Sequence, residues 1–197
     1  MSFGFGSGGS IPTPAFKRLM AFLDGENIVF QYQSLLKKGR IPNKTVKHRP
    51  NVYAWSVDVI SNINYAEIYR ATYYTSAVYD DNSLEEILKE IEDLEYQQSY
   101  HSALPNRIIP YVLKKFERAQ KSKGVDMKMT VDILTNVYQN NTDIIYIATG
   151  DGDFLPVIKE CQRLGKVIFL AAFEEGLNKK LLHYVDKFIA LEDKFFL

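Results

Sequence analysis

IIYIATGDGDFLPVIKECQRLGKVIFLA, residues 144–171, is the stretch that decides the fold. Ile144 to Ala148 are uniformly apolar and are followed at once by a glycine-rich turn, the pattern of a strand buried on both faces. Thr149-Gly150-Asp151-Gly152-Asp153 turns the chain. Phe154, Val157, Ile158, Cys161 and Leu164 then share one face of a helix. Asp153 is placed to cap its free N–H groups, and Pro156 is tolerated in the first turn. Gly165 ends that helix, and Lys166 to Ala171 read as the next buried strand. Strand, helix and strand make a right-handed βαβ unit, so the class is α/β with a mainly parallel sheet.

The same alternation extends outward. Leu19 to Leu23 form a short apolar strand closed by Asp24-Gly25, and Ile28, Tyr32, Leu35 and Leu36 lie on one face of the helix that follows, ending at Gly39. Residues 40–50 are polar and read as a loop. Val52, Trp55, Val59 and Ile63 recur at helical spacing. Ala66 to Thr75 is rich in Tyr, Ile and Thr and reads as a strand. Residues 83–100 predict an acidic amphipathic helix with Leu84, Ile87, Leu88, Ile91 and Leu94 as its stripe. Arg107 to Glu117 read as a strand whose Pro110 fits only a sheet edge or an irregular start. A helix over about 127–139 leads into the strand at 144–148. A last helix near 177–186 precedes a short apolar tail. Four of the first ten residues are glycine and three are serine, so residues 1–16 read as a flexible head and 17–197 as one domain.

Composition narrows the class. The 197 residues carry 24 basic and 24 acidic side chains, for a formal net charge of zero. That argues against a globally basic nucleic-acid coat or a polybasic membrane anchor, though not against a local basic groove. The single cysteine, Cys161, excludes intrachain disulfides and multi-thiolate zinc sites, and its apolar helix face marks a core thiol. No apolar run approaches the ~20 residues of a spanning helix. A soluble cytoplasmic protein is the expectation. His48, His101 and His183 are scattered without ligand spacing.

In open parallel sheets, ligands bind at the carboxyl ends of the strands. Asp24 follows the first strand, and Asp151 and Asp153 follow the strand at 144–148. Asp126 and Asp132 lie at the start and in the second turn of the helix that enters it. Six residues of helix turn through about 600°, so the two do not share a face; Asp126 reads as a cap and at most one need point inward. Each motif has a plainer reading: a DG pair is most often a turn, and GDGD can be a turn with a cap. Together at strand ends, crowded carboxylates raise one another's pKa, and a hard cation such as Mg²⁺ or Mn²⁺ removes that cost. Asn27 adds an amide that can orient water or a phosphate oxygen. With no Ser-His-Asp order, the chemistry such a set supports is attack of metal-activated water on a phosphodiester.

LMAFLDGENI, KGVDMKMTVDIL, IIYIATGDGDFLPVIKECQRLGKVIFLAAF and LLHYVDKFIAL, in this order over about residues 17–193, resemble LabA-like NYN domains of the PIN-like nuclease superfamily. The resemblance implies a PIN-like three-layer sandwich with helices on both faces of the sheet. It also implies a Mg²⁺ or Mn²⁺ site for RNA hydrolysis. By position, Asp24 and Asn27 match the first motif, Asp126 and Asp132 the second, and Asp151 and Asp153 the third. The hydroxyl before GDGD is Thr149 in place of the usual Ser. The acidic segment at 83–100 and the loop at 40–50 stand as elaborations.

RNA, single-stranded by expectation, reaches an acidic pocket only if basic groups hold its backbone. Two runs offer them: Lys37, Lys38, Arg40, Lys44, Lys47 and Arg49, and Lys114, Lys115, Arg118, Lys121 and Lys123. Lys38, Arg40, Lys114, Lys115, Lys123 and Thr149 are the expected contacts, although such runs are as often solvated faces. Thirteen tyrosines and 12 phenylalanines supply stacking surfaces, most of them expected in the core. The leading expectation is a metal-dependent ribonuclease. The alternative is a non-catalytic RNA-binding or regulatory module on the same fold. A Toprim-like reading would rest on Glu26 with Asp151 and Asp153, and a haloacid-dehalogenase reading fails because Glu26 stands where an Asp is needed. The stripe at 83–100 must be covered by this domain or by a second copy, which makes a homodimer one expected outcome.

Overall fold

The computed structural model describes residues 16–61, 63, 66–97, 106–115 and 123–197. The head at 1–16 (Phe16 excepted), the helix end at 98–100, His101, Arg118 and Lys121 lie outside these, as does the Lys123 side chain.

Six strands form one parallel sheet: β1 (Lys17–Asp24), β4 (Ala66–Ala77), β5 (Ile108–Lys114), β6 (Ile144–Ala148), β7 (Val167–Ala172) and β8 (Lys187–Ala190). A two-stranded antiparallel hairpin, β2 (Lys47–Arg49) and β3 (Tyr53–Trp55), stands apart from it. The order across the sheet is β5-β4-β1-β6-β7-β8, with every neighbour parallel. The helices are α1 (Gly25–Lys37), α2 (Asp81–Glu92), α3 (Lys123–Tyr138), α4 (Leu155–Arg163) and the short α5 (Glu192–Phe195).

Apolar strands with a two-residue period explain the layering. Leu19, Ala21 and Leu23 of β1 and Ile144, Tyr146 and Ala148 of β6 point into one core with Ile28, Val29, Tyr32 and Leu35 of α1. Met20 and Phe22, with Ile145 and Ile147, point into a second core. There they meet Val125, Met129, Ile133 and Val137 of α3 and Val157, Ile158 and Cys161 of α4. Continuous apolar runs are what a strand covered on both faces requires. The result is an α/β sandwich of three layers, as the sequence predicts. β5 lies at the sheet edge, where Pro110 has its place. Gly39 and Gly165 take positive φ after α1 and α4, the left-handed conformation that ends a helix.

Four sequence readings are corrected. Val52 to Trp55 are consecutively buried, the last three as a hairpin strand, with turns at 57–60, where helical spacing suggested a helix. Asn51 has a φ of 60° and turns the chain into that strand, and the Trp55 indole donates to the Glu95 carbonyl at 2.8 Å. Within the loop read at 40–50, Lys47–Arg49 pair with β3. The helix expected near 177–186 is a 3₁₀ turn, Lys179–Tyr184, capped by the Asn178 side chain. The apolar tail holds the sixth strand, β8, which four residues of sequence are too few to announce.

The acidic helix α2 ends at Glu92, shorter than its predicted span. Ile87, Ile91 and Leu94 are buried in the α1-side core, so its own domain covers the stripe and a second copy is not needed to do so. Its charged face is used as well: Arg49 pairs with Glu90 at 2.8 Å and Glu86 at 3.5 Å. Replacing the fully buried Ile91 by Asp should cost of the order of 4 kcal/mol of stability, because an unpaired carboxylate enters an apolar core. Urea unfolding checks this; an unchanged midpoint would mean the stripe is not packed as described.

Candidate functional site

The chain leaves β1 to build β4 and β5 on one side, then returns to build β6, β7 and β8 on the other. The carboxyl ends of β1 and β6 therefore form the topological switch point, where open α/β sheets leave a crevice for ligands. Asp24 is the last residue of β1, and Leu23 pairs with Ala148 at the end of β6. Asp24 and the 149–153 loop thus share one edge of the sheet.

Hydrogen bonds make the two motifs a single unit. Asp24 is 2% exposed. Its Oδ1 accepts the Asn27 N–H at 3.0 Å and so caps α1, while Oδ2 accepts the Thr149 hydroxyl at 2.8 Å. Thr149 Oγ1 accepts the Asp151 N–H at 3.1 Å, and the Asn27 side-chain oxygen accepts the Gly150 N–H at 3.0 Å. Asn27 is thus a clamp between α1 and the GDGD loop. Close backbone approach requires two of the glycines. A Cβ on Gly25 would stand 2.1 Å from the Tyr73 ring, and one on Gly152 would stand 2.0 Å from the Asn178 amide nitrogen.

Asp151 Oδ1 accepts the Asp153 N–H at 3.0 Å and caps a 3₁₀ turn, Gly152–Phe154, that leads into α4. The cap is therefore Asp151 and not Asp153, which is exposed inside the turn. Asp126 is likewise not a cap. α3 begins three residues earlier, at Lys123, and Asp126 belongs to its first turn.

Burial pushes the Asp24 carboxyl up to about 7. The bonds from Asn27 and Thr149 pull against that rise, and the negative charges of Asp126 and Glu26 add to it. Asp126 therefore acts on Asp24 from α3. Asp132 is engaged elsewhere: the Tyr74 hydroxyl donates to its Oδ2 at 2.9 Å and Lys128 pairs with its Oδ1. Burial first, then the neighbouring Asp132, raises the Tyr74 phenol well above its usual range. Among the described residues, no group of three or more His, Cys, Asp or Glu side chains is arranged to hold a metal ion.

Glu26 is the residue to which the preferred sequence reading gave no role. The Ser76 hydroxyl donates to its Oε1, and Lys115 forms an ion pair with the same oxygen. Glu26 and Lys115 are only 13% and 21% exposed. The DGEN motif contained Glu26, but nothing local announced that the ends of β4 and β5 would bring Ser76 and Lys115 to it. The other expected RNA contacts are dispersed. Lys38 pairs with Glu175 at 2.5 Å, the Arg40 guanidinium lies 5.5 Å from the Phe196 ring centre, and the Lys114 ammonium lies 5.3 Å from that of Tyr79. Cys161 is the core thiol the sequence suggested, with burial pushing it up to about 12.

The Asp24 shift makes metal-free stability pH-dependent. Folded, Asp24 keeps its proton up to about pH 7; unfolded, it releases it near 3.8. Its contribution to stability is fully present below the unfolded value and is lost as pH rises through the folded one, by up to roughly 4 kcal/mol. Asp24→Asn carries no such penalty. In EDTA its stability should therefore rise relative to wild type between about pH 4 and about pH 8. Urea melts across that range decide; a difference independent of pH would contradict the assignment.

A solved structure of a Vibrio parahaemolyticus protein of unknown function superposes with a TM-score of 0.62 at 14% identity, covering 95% of this chain and 100% of that one, which speaks for the fold alone. An uncharacterised protein of Methanocaldococcus jannaschii is 29% identical over 118 residues, 59% of this chain. The match covers 49% of that protein, so the chain spans about half the length of this curated relative. No helix among the described residues is long and apolar enough to cross a membrane. The NYN domain model matches residues 18–192, from β1 to the start of α5 and through every motif above, and on that evidence the chain belongs to the NYN domain family of the PIN-like nuclease superfamily.

Proposed function

We propose that this NYN domain is a LabA-like, metal-dependent ribonuclease of the cytoplasm that hydrolyses phosphodiester bonds in single-stranded RNA. The observation that carries the reading is Asp24: a carboxylate buried at the switch point, fixed by Thr149 and Asn27, and raised to about 7 among like charges. Capping α1 and anchoring Thr149 need only a side-chain acceptor; the raised pKa of an acid among like charges is a cost that a cation would relieve.

The donors fit a hard divalent ion in kind, being carboxylates and an amide without thiolate or imidazole. Asp24, Asp126 and Asp151 would hold Mg²⁺ or Mn²⁺, with Asp132 and Asp153 further out. Fewer than three of them converge among the described residues, so water and RNA phosphate oxygens would complete the shell, as is usual for Mg²⁺. When bound, the ion supplies charge neutralisation at the scissile phosphate and a more acidic water. The chain's own contribution is positional. Asn27 and Thr149 hold the GDGD loop against β1, and Tyr74 and Lys128 fix Asp132; Asp24, protonated near neutrality without the ion, would give up its proton as the ion binds.

The same shortage of converged ligands favours a second reading, a non-catalytic RNA-binding module. Cleavage separates the two. With Mn²⁺, wild type should cut a labelled single-stranded RNA, and Asp24→Asn and Asp126→Asn should each lose at least about 10²-fold in rate. Their RNA affinity in EDTA should be equal or higher, because an anion has left the pocket. RNA bound but uncut by wild type under every divalent ion would leave the binding module as the reading.

A further inference from the structure

A cleft of about 360 Å³ opens where the carboxyl end of β4 meets the β2–β3 hairpin and α2. Val52 and Ile87 give it apolar walls, and Arg49, Asn51, Ser76 and Lys115 give it polar ones. Ser76 and Lys115 are also the two partners of Glu26, which follows Asp24 by two residues. Through these two side chains the cleft adjoins Glu26, two residues along the chain from Asp24. Neither its walls nor Glu26 is used by the chemistry above.

We propose that this cleft is a base-recognition subsite, which takes one unstacked nucleobase of the RNA strand whose phosphate sits at Asp24. The inference rests on the nuclease reading for its register and on the cleft's own chemistry for its occupant. The volume lies at the low end of ligand pockets, enough for a single small planar group. Val52 and Ile87 offer apolar surface to the face of a base, and Arg49, Asn51, Ser76 and Lys115 offer polar groups to its edge. Charge decides between base and phosphate. Arg49 is already paired with Glu86 and Glu90, and Lys115 with Glu26, so an anion would have to compete with three carboxylates. A neutral base meets no such opposition, and the unused donors of both cations can still reach its ring acceptors. A base held in a duplex cannot enter a cleft of this kind, which makes the subsite selective for single strands.

Val78 lines the cleft and is 51% exposed, so Val78→Trp fills the space without disturbing the core. Fluorescence anisotropy with labelled six-nucleotide RNAs that differ in base, in EDTA so that nothing is cut, gives the readout. Wild type should prefer one base by about tenfold, and Val78→Trp should bring all of them to near-equal affinity with unchanged circular dichroism. Val78→Ala should keep the preference. If Val78→Trp does not fold, Arg49→Lys, which keeps the charge and loses the planar donor fork, decides by the same measure. Absence of base preference in wild type, or a preference that survives the deciding variant, overturns the subsite. A cleft-dependent preference in a protein that never cuts RNA with Mn²⁺ contradicts the nuclease reading and leaves the subsite standing. Cutting with a base preference untouched by the variant contradicts the subsite alone.

Discussion

Asp24 is taken out of water at the end of the central strand and held there by one backbone N–H and one hydroxyl. One bond fixes the first turn of α1 to the end of β1, and the other ties both to the loop after β6, 125 residues away in sequence. Because β1 and β6 are neighbours at the switch point, the bond from Thr149 adds a side-chain tie at the carboxyl ends of two strands already paired by their backbones. The GDGD loop then inherits its position from Asp24. Thr149 orients the Asp151 N–H, Asn27 orients the Gly150 N–H, and Asp151 caps the turn into α4. The cost is an acid held far from its ordinary pKa, in a position where a nearby cation would reverse the penalty.

Charge is arranged differently a few residues away. Glu26 is largely buried and held by Lys115 and Ser76, two residues that also line the cleft beside the hairpin. α2 contributes to the same partition. Its apolar stripe seals the α1-side core while Glu86 and Glu90 neutralise Arg49. A segment that reads in sequence as an appendage is thus part of the wall of the fold.

The layers were legible because β1 and β6 are apolar at every position, and only a strand with cores on both sides needs that. Asp24, Asn27, Thr149 and Asp151 were legible as a group because each stands at or just past a strand end. The hairpin at 47–55 was not: Val52 and Trp55 satisfy helical spacing, and only the turn at Asn51 and the distant Glu95 carbonyl decide for extended chain. β8 escaped because a four-residue edge strand has no period to read. That Asp126 comes near Asp24 was legible, but its expected place as a cap was not borne out, since α3 starts at Lys123 with Val125 and Met129 packed in the core. Glu26 could not be found locally at all, because its partners arrive from β4 and the end of β5.

The central claim is that the carboxylates at the ends of β1 and β6 hold a cation together with RNA. The most direct measurement is an anomalous difference map from crystals of the wild-type chain soaked with Mn²⁺ and a non-cleavable single-stranded oligonucleotide. The expected result is a peak between Asp24 and Asp126, on the side of the GDGD loop, with a phosphate oxygen beside it. Phosphate bound at the switch point with no peak there, or Mn²⁺ bound only away from Asp24, would contradict it.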